Sequence, residues 1–270
     1  MKLQSLAGAV LAMVSLTSQA APASTISDAT FDHVLQGSWR APANSARDPY
    51  RHPRETLQFF GLRPAQTVIE ITPGGGWYSE VLAPLLKEHG HYVAALQAST
   101  SNDSARKSNQ ALEKKFSADP EHYAKAGWIE FRPDQPDFGK PGSADVVLTF
   151  RNVHNWVMAD TAPAMFKAFN RVLKHGGTLG VVDHRGKPGE TVEDIRQSGY
   201  LPTAYVIKLA KEAGFKLAGQ SEINANPKDT KDYPEGVWTL PPSYTLGEQD
   251  RARYAAIGES DRMTLRFIKP

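Results

Sequence analysis

Residues 68–78 read Val68-Ile-Glu-Ile-Thr-Pro-Gly-Gly-Gly-Trp-Tyr78 and carry the strongest fold signal in this chain of 270 residues. The run begins with apolar, mostly β-branched residues, which predict a buried strand. Three glycines follow, and then a segment from Trp77 to Lys87 that we predict to be helical. A strand, a glycine turn and a helix in this order are typical of an open α/β sheet that binds a nucleotide. The glycines let a ligand approach the backbone, and the start of the helix offers unpaired N–H groups.

Three kinds of nucleotide site compete for this turn. A phosphate-binding P-loop needs a Gly-Lys-Ser/Thr ending, and Gly76 is followed by Trp77, which excludes it. A dinucleotide site needs G-x-G-x-x-G, but Ser79 stands where the third glycine or alanine belongs. A nucleoside without a pyrophosphate is the remaining ligand class, and only this option gives a role to the acidic residue Glu70 before the glycines.

Apolar runs alternate with helical patterns on both sides of the turn. We predict seven strands, at Thr67–Ile71, Tyr92–Leu96, Trp128–Arg132, Asp145–Phe150, Thr178–Asp183, Phe215–Ile223 and Arg262–Ile268. Helical segments between strands imply parallel pairing. Residues 224–260 have no clear helical pattern, so the last strand is predicted to return antiparallel. The predicted fold is α/β, a Rossmann-like doubly wound seven-stranded sheet, mostly parallel with one antiparallel strand at the end and helices on both faces.

The helical patterns have visible interruptions. Asp103 to Ala126 is predicted to be helical with a break near Pro120. The helix Ala162–Leu173 is predicted to end at the glycines of His175-Gly-Gly177, because glycine suits a left-handed cap. Pro202–Ala213 is predicted as a further helix.

The first twenty residues have the pattern of a secretory signal peptide. A basic start precedes the apolar run Leu6–Leu16, and Ser18-Gln-Ala20 supplies small residues for cleavage after Ala20. An uncleaved N-terminal anchor is the alternative. Residues 21–60 are predicted as an N-terminal segment with two short helices or turns around a polar loop at 41–50. This segment either covers a pocket as a lid or packs on the sheet. Residues 61–270 form the main domain, with an insertion near 224–260.

Composition excludes several classes of function. The chain has no cysteine, so disulfides, thiolate chemistry and a cysteine-linked lipid anchor are excluded. Its 31 basic and 29 acidic residues nearly balance, and no basic run indicates nucleic acid or a membrane surface. We expect a periplasmic or secreted protein with a small-molecule substrate and no stable membrane anchor. His89 and His91 lack further local ligands, so no metal site is predicted. The sequence indicates no oligomeric state.

Polar residues cluster after the fourth and fifth predicted strands. Arg151, Asn152, His154 and Asn155 follow the fourth strand, and ligands of open α/β sheets bind at the carboxyl ends of strands. His154 is a candidate base, and the other three are candidate substrate contacts. The alternative for Asn152 and Asn155 is that they cap the next helix.

The fifth strand ends in Asp183, His184 and Arg185. Asp183 would orient an imidazole or bind a cation, and Arg185 would hold an anionic substrate group. An Asp–Arg ion pair that ties two loops together is the alternative.

Four segments in this order resemble the class I S-adenosylmethionine-dependent methyltransferases, and more narrowly the exported predicted methyltransferases of bacteria. They are Val68–Tyr78, Thr149–Trp156, Leu173–Arg185 and Asn226–Asp229. The resemblance implies an acid-x-Gly-x-Gly-x-Gly motif that binds S-adenosylmethionine. Glu70 matches the acid, Gly74 and Gly76 match the second and third glycines, and Thr72 replaces the first.

The resemblance also implies an acid at the end of the second strand for the ribose hydroxyls. Counted from Gly90, that position is Leu96, followed by Gln97. Gln97 offers one neutral hydrogen bond, weaker than a charge-assisted bond by on the order of 1 kcal/mol. Asp134 matches the acid that faces the adenine amine, although a loop acid in a turn is an equal interpretation.

Two functions from different classes follow. The first is methyl transfer from S-adenosylmethionine to a small molecule of the cell envelope, with His154, Asp183 and His184 as catalytic residues. The second is a non-catalytic protein that binds a nucleoside or another small molecule on the same scaffold. A nicotinamide-dependent redox enzyme is a weaker third option, disfavoured by Ser79 and Leu96 together.

Overall fold

The computed structural model describes residues 25–270, so the predicted signal peptide lies outside the described residues. One mixed sheet has the strand order β3-β2-β1-β4-β5-β7-β6. Its strands are β1 (Thr67–Ile71), β2 (His91–Gln97), β3 (Gly127–Phe131), β4 (Ala144–Phe150), β5 (Leu173–His184), β6 (Lys216–Ser221) and β7 (Arg262–Ile268). All seven predicted strands are confirmed, with ends that differ by a few residues.

The single antiparallel strand is β7. Strands β1 to β5 pair in parallel, whereas β7 runs antiparallel to both of its neighbours, β5 and β6. The last strand of the chain therefore inserts between the two strands that precede it, and β6 forms the edge of the sheet. The predicted fold class is confirmed.

Twelve helices accompany the strands in the described residues. They are α1 (Asp28–Leu35), α2 (Pro42–Ser45), α3 (Asp48–Arg51), α4 (Pro53–Phe59), α5 (Ser79–Leu86), α6 (Asp103–Ala118), α7 (Pro120–Tyr123), α8 (Val153–Met158), α9 (Ala162–Val172), α10 (Val192–Ser198), α11 (Thr203–Glu212) and α12 (Arg251–Ile257), with a 3-10 helix at Gly236–Thr239. The break near Pro120 is confirmed, because Pro120 opens α7.

Three local predictions were wrong. The predicted loop 41–50 contains α2 and most of α3, each with a proline in its first turn, where the missing N–H costs nothing. The glycines of residues 175–177 do not cap α9, because Leu173 is already extended and pairs with Ala144 as the start of β5. Residues 224–260, predicted to lack helices, contain α12 and the 3-10 helix.

Helices cover both faces of the sheet around two apolar clusters. One cluster joins Ile69 and Ile71 to the buried side of α9. The other joins Val68 to α5 and to the N-terminal segment, where Leu57 and Phe60 are fully buried. Residues 25–60 thus pack on the sheet as part of its core layer, and whether they also act as a lid stays a prediction. In the described part of the chain, no helix is long and apolar enough to cross a membrane.

Candidate active site

The glycine turn after β1 keeps its shape without its first glycine. Thr72 has a φ of 52°, and Gly74 and Gly76 have φ values of 59° and 78°. All three lie in the left-handed region, which is unfavourable for a β-branched residue such as threonine. The Thr72 N–H donates to the carbonyl of Ala95 at 2.7 Å, which helps to hold this conformation. The turn therefore has the backbone course that a glycine would favour.

The surface of the turn is open at two of the glycines. A Cβ atom at Gly74 or Gly75 would meet no atom within 4 Å. At Gly76 it would lie 2.8 Å from Leu112 of α6, so this position needs glycine for packing. A ligand can thus approach the backbone of Gly74 and Gly75, while Gly76 lets α6 sit close to the turn.

Glu70 is buried beneath the turn and is used internally. Its Oε2 accepts hydrogen bonds from the Tyr92 hydroxyl at 2.6 Å and from the Ser79 hydroxyl at 3.2 Å. Burial raises the pKa of Glu70 from 4.5 to about 7, although both hydrogen bonds oppose that rise. The side chain joins β1, β2 and the first residue of α5. Glu70 therefore fixes the position of the turn, and its contribution to a cofactor site stays a prediction.

The end of β2 holds the two residues considered for the ribose position. Leu96, where the resemblance expects an acid, is only 3% exposed and belongs to the same core cluster as Leu112, so the ribose contact proposed for Gln97 stays a prediction. Side chains alternate along a strand, and the half-buried Gln97 is the last residue of β2. The peptide carbonyl of Gln97 accepts from Asn109 Nδ2 at 2.9 Å.

Asp134 lies on the surface beyond β3. Its carboxylate forms a two-point ion pair with Arg132, with N–O distances of 2.8 and 3.2 Å. This arrangement matches the interpretation of a loop acid in a turn, and the adenine contact stays a prediction.

Two strand ends meet through Asn152. Its Nδ2 donates to the carbonyl of Ile71 at 2.9 Å and to Thr149 Oγ1 at 3.3 Å, which ties the ends of β1 and β4 together. The Asn152 side chain makes no capping bond to α8. Arg151, next to it, takes a left-handed φ of 60°. The polar cluster predicted after β4 therefore lies beside the glycine turn.

His154 and Asp183 form a buried pair at this edge of the sheet. The distance from His154 Nδ1 to Asp183 Oδ1 is 2.8 Å. The Val153 N–H donates to Asp183 Oδ2 at 2.7 Å, and the His184 N–H donates to Oδ1 at 2.7 Å. A carboxylate on Nδ1 favours the tautomer in which Nε2 carries the lone pair. The pair is thus arranged as an oriented base.

His184 lies beside this pair and is held neutral. Its Nδ1 is 2.6 Å from Ser260 Oγ, and its ring centroid lies 5.0 Å from that of His154. Burial, followed by the nearby His154 and three arginines, holds the pKa of His184 well below its usual value. The catalytic candidates are therefore brought together as predicted from the sequence.

A cavity of about 230 Å³ opens in front of the two histidines. Its lining includes Arg151, His154, Asn155, His184, Trp238, Glu259 and Ser260. Trp238, Glu259 and Ser260 come from the predicted insertion, and sequence reasoning missed them because no spacing or motif links them to β4 and β5.

Arg185 is not among the cavity residues. Its guanidinium pairs with Asp261 at 2.7 and 2.9 Å and with Glu222 at 2.8 Å. These bonds, led by those to Asp261, raise the pKa of Arg185. The arrangement is the loop-tying ion pair considered as the alternative, and its role toward a substrate stays a prediction.

The cluster suits a base better than a metal ion. One ligand atom from each of His154, Asp183 and His184 lies within 4.8 Å of the others, close enough to share a cation. However, both oxygens of Asp183 already accept hydrogen bonds, and the arginine-rich surroundings that lower the pKa of His184 also oppose a bound cation.

Comparisons with known proteins show the fold. No protein-family profile matches the sequence, and no curated protein matches it. A methyltransferase from Aquifex aeolicus that depends on S-adenosylmethionine superposes with a TM-score of 0.55 at 14% identity, covering 86% of this chain and 95% of its own. A TehB-like methyltransferase from Corynebacterium glutamicum gives 0.51 at 12% identity, covering 90% and 98%.

A third solved structure has the same fold but belongs to an enzyme with a different activity. The [4+2]-cyclase SpnF superposes with a TM-score of 0.57 at 14% identity, covering 87% of this chain and 86% of its own. This chain therefore has the Rossmann-like fold of the class I methyltransferases, and fold alone does not name the reaction.

Proposed function

We propose that this protein is an S-adenosylmethionine-dependent methyltransferase that acts on a small molecule of the cell envelope. The observation that carries the proposal is the His154–Asp183 pair on a cavity, one strand away from a glycine turn that is open at Gly74 and Gly75. The methyltransferases among the structural neighbours support the choice of cofactor.

The residues at the turn fit a nucleoside with an amino acid tail. The open backbone at Gly74 and Gly75 would contact the cofactor, and Thr72 and Glu70 shape that backbone. Gln97 would bind a ribose hydroxyl, and Asp134 is the proposed adenine contact. When bound, S-adenosylmethionine supplies an electrophilic methyl group on a sulfonium.

The chain's own residues would manage the acceptor. His154 Nε2 accepts the proton that the acceptor loses, and Asp183 stabilises the imidazolium that results. His184 stays neutral and offers a polar contact without a charge. Arg151 and Asn155 line the cavity where the acceptor would lie, and Asn152 holds the two strand ends that frame it.

The place of action is part of the proposal. The pattern of residues 1–20 supports export to the periplasm or the medium.

Titration calorimetry with S-adenosylmethionine and S-adenosylhomocysteine tests the cofactor. We expect both to bind, and we expect Gln97→Asp to tighten binding about fivefold, because a carboxylate replaces a neutral acceptor at a ribose hydroxyl. Gln249→Asp, at an exposed loop residue, makes the same chemical change outside the cleft and should leave the affinity unchanged. No heat of binding at millimolar cofactor would remove the proposal.

A second function has its own support. Thr72 in place of glycine and the absence of a carboxylate at the end of β2 weaken the match to a methyltransferase site. One structural neighbour, SpnF, is a [4+2]-cyclase, which shows that the scaffold hosts other activities. On this alternative, the protein binds another nucleoside or a different small molecule. Native mass spectrometry after purification separates the two: a retained ligand that is not a sulfonium or its thioether product favours the alternative.

A further inference from the structure

Four arginines converge behind the cavity, and we refer to them as the arginine cluster: Arg47, Arg51, Arg151 and Arg262. Arg47 and Arg51 come from the N-terminal segment, Arg151 follows β4, and Arg262 is the first residue of β7. Electrostatic interactions couple each of them to the others: Arg47, Arg151 and Arg262 all act on Arg51. Parts of the chain that are far apart in sequence thus place four positive charges together.

One carboxylate pairs with three of the four arginines. Within residues 25–270, Glu259 is the only acidic side chain that pairs with these arginines. It accepts from Arg47 Nε at 2.6 Å, from Arg262 Nη1 at 3.1 Å and from Arg51 Nε at 3.4 Å. Glu259 is thus the one carboxylate of the described residues in direct contact with the cluster, while Asp183 attracts Arg151 and Asp261 attracts Arg262 without an ion pair.

Part of the hydrogen-bonding capacity is unused. Among the described residues, Arg47 Nη2 and Arg51 Nη2 are buried and have no hydrogen-bond partner, and the Arg51 side chain is only 5% exposed. Both guanidiniums pair with Glu259 through Nε, but a buried N–H donor without an acceptor is unfavourable, so a fold retains it only where something compensates.

Arg151 is the member that reaches the cavity. It lines the cavity with Glu259, and its guanidinium makes no hydrogen bond or ion pair to any described residue. Burial, together with repulsion by Arg262 and Arg47, lowers the pKa of Arg151 to about 10, so it stays charged at neutral pH. Arg51, behind it, is held against the Trp77 ring at 4.6 Å from the ring centroid.

The cavity lining therefore combines two histidines with a cation. Among the described residues, Arg151 has no hydrogen-bonded or ion-paired partner for its guanidinium, and Glu259, whose carboxylate pairs with three other arginines, attracts it from the same lining. Guanidinium groups bind carboxylates and phosphates in a two-point geometry that few other groups match.

We propose that this cavity binds the acidic group of the acceptor, a carboxylate or a phosphate, with Arg151 in direct contact and Arg47, Arg51 and Arg262 supplying the surrounding positive charge. The assignment of the anion to an acceptor rests on the proposed function, whereas the anion site itself does not. The acceptor class is then a small organic acid or phosphate ester that presents a second, nucleophilic group to His154.

Inorganic phosphate is the probe for the anion site. Calorimetry at constant ionic strength, with chloride as the reference anion, should show millimolar or tighter binding to the wild-type protein. Arg151→Gln should weaken phosphate binding at least tenfold. Arg171→Gln removes an exposed guanidinium that pairs with Asp137, and it should leave phosphate binding unchanged.

A second variant keeps the test decisive if Arg151→Gln does not fold. Arg151→Lys retains the charge and loses the two-point geometry, so its affinity should fall between that of the wild type and that of the glutamine variant. Equal affinity for phosphate in the wild type and Arg151→Lys, or no binding to the wild type beyond that of chloride, would overturn the anion site.

Competition identifies the source of the anion. S-adenosylhomocysteine carries a carboxylate, and 5′-methylthioadenosine lacks it. We expect phosphate and S-adenosylhomocysteine to bind independently. If phosphate competes with S-adenosylhomocysteine but not with 5′-methylthioadenosine, the arginines hold the cofactor's carboxylate, and the acceptor assignment is wrong. If phosphate binds and neither nucleoside does, the anion site stands and the proposed methyltransferase function fails.

Discussion

Thr72 stands where the glycine motif has its first glycine, and its backbone is left-handed as that of a glycine would be, although a β-branched side chain disfavours this conformation. The strain is a local cost, and the hydrogen bond from the Thr72 N–H to the carbonyl of Ala95 helps to offset it. Sequence alone indicates a glycine missing from the motif, and the structure shows that the turn has been retained.

His154 carries the proposed chemistry, and its removal is the sharpest test at this scale. We expect His154→Asn to lower the rate of methyl transfer about 10²- to 10⁴-fold, the usual loss when a general base is removed. The measurement is transfer of a labelled methyl group from S-adenosylmethionine to small molecules of an envelope extract. Cofactor affinity, measured by calorimetry, should stay unchanged.

The control for this test is His89→Asn, which alters an exposed histidine far from the cavity lining. It should transfer methyl groups at the wild-type rate. Undiminished transfer by His154→Asn would show that another group, or none, removes the proton.

Glu70 joins two strands and a helix through its hydrogen bonds, so its protonation affects the stability of these elements. Its pKa of about 7 lies above the usual 4.5, so the folded protein binds this proton more tightly than the unfolded chain. The contribution is complete below pH 4.5 and is lost as the pH rises toward 7. We therefore expect wild-type stability to decline over this interval.

Glu70→Gln should remove that decline. Above pH 7 the variant should be more stable than the wild type by up to about 3 kcal/mol, and the two should converge near pH 4.5. Urea unfolding at several pH values measures the difference. Glu113→Gln, on the exposed side of α6, should follow the wild-type curve. A wild-type stability that rises from pH 4.5 to 7, with no change in Glu70→Gln, would contradict this account.

Helices and strands were predictable where their buried residues recur at regular spacing in the sequence. Strand β1 and helix α9 were predictable because burial gives the strand a continuous apolar run and gives the helix an apolar face at helical spacing. The helices α2 and α3 escaped prediction because each has four residues, too few for a periodic pattern. Counting from Gly90 assigned the ribose position to Leu96 and left Gln97 as the polar candidate, and in the pleat of β2 Leu96 is buried while Gln97 is half-buried.

The site was predictable where it follows a strand. His154 follows β4, and Asp183 lies near the end of β5. These two strands are parallel neighbours, and the topology of an open sheet brings such positions together. The arginine cluster could not be predicted, because Arg51 and Glu259 meet only in the folded chain and share no spacing.

Glu259 connects the two ends of the described chain. Arg47 and Arg51 of the N-terminal segment and Arg262 of β7 all donate to it. Burial alone would raise its pKa, but Arg262, Arg51 and Arg47 together lower it to about 2. Its stabilising contribution is present above the usual value of 4.5 and is lost as the pH falls from 4.5 toward 2.

Glu259→Gln should destabilise the whole molecule. We expect the free energy of unfolding at pH 7 to fall by about 3–5 kcal/mol, because the buried guanidiniums lose their counter-ion. The acid-induced loss of stability below pH 4.5 should also become shallower. Glu248→Gln, whose side chain is 89% exposed, should stay within about 0.5 kcal/mol of the wild type. A change of similar size in both variants would show that Glu259 has no special role.

The position of β7 has a consequence for how the protein is made. Residues 262–268 insert between β5 and β6, so neither strand has its full set of backbone partners until that stretch has been synthesised. The same applies to Arg47 and Arg51, whose counter-ion is residue 259. These contacts of the N-terminal segment, and the pairing of β5 and β6 with β7, can therefore form only after nearly the whole chain has been synthesised. Such a delay would suit the export that we propose, because an exported chain crosses the membrane before it folds.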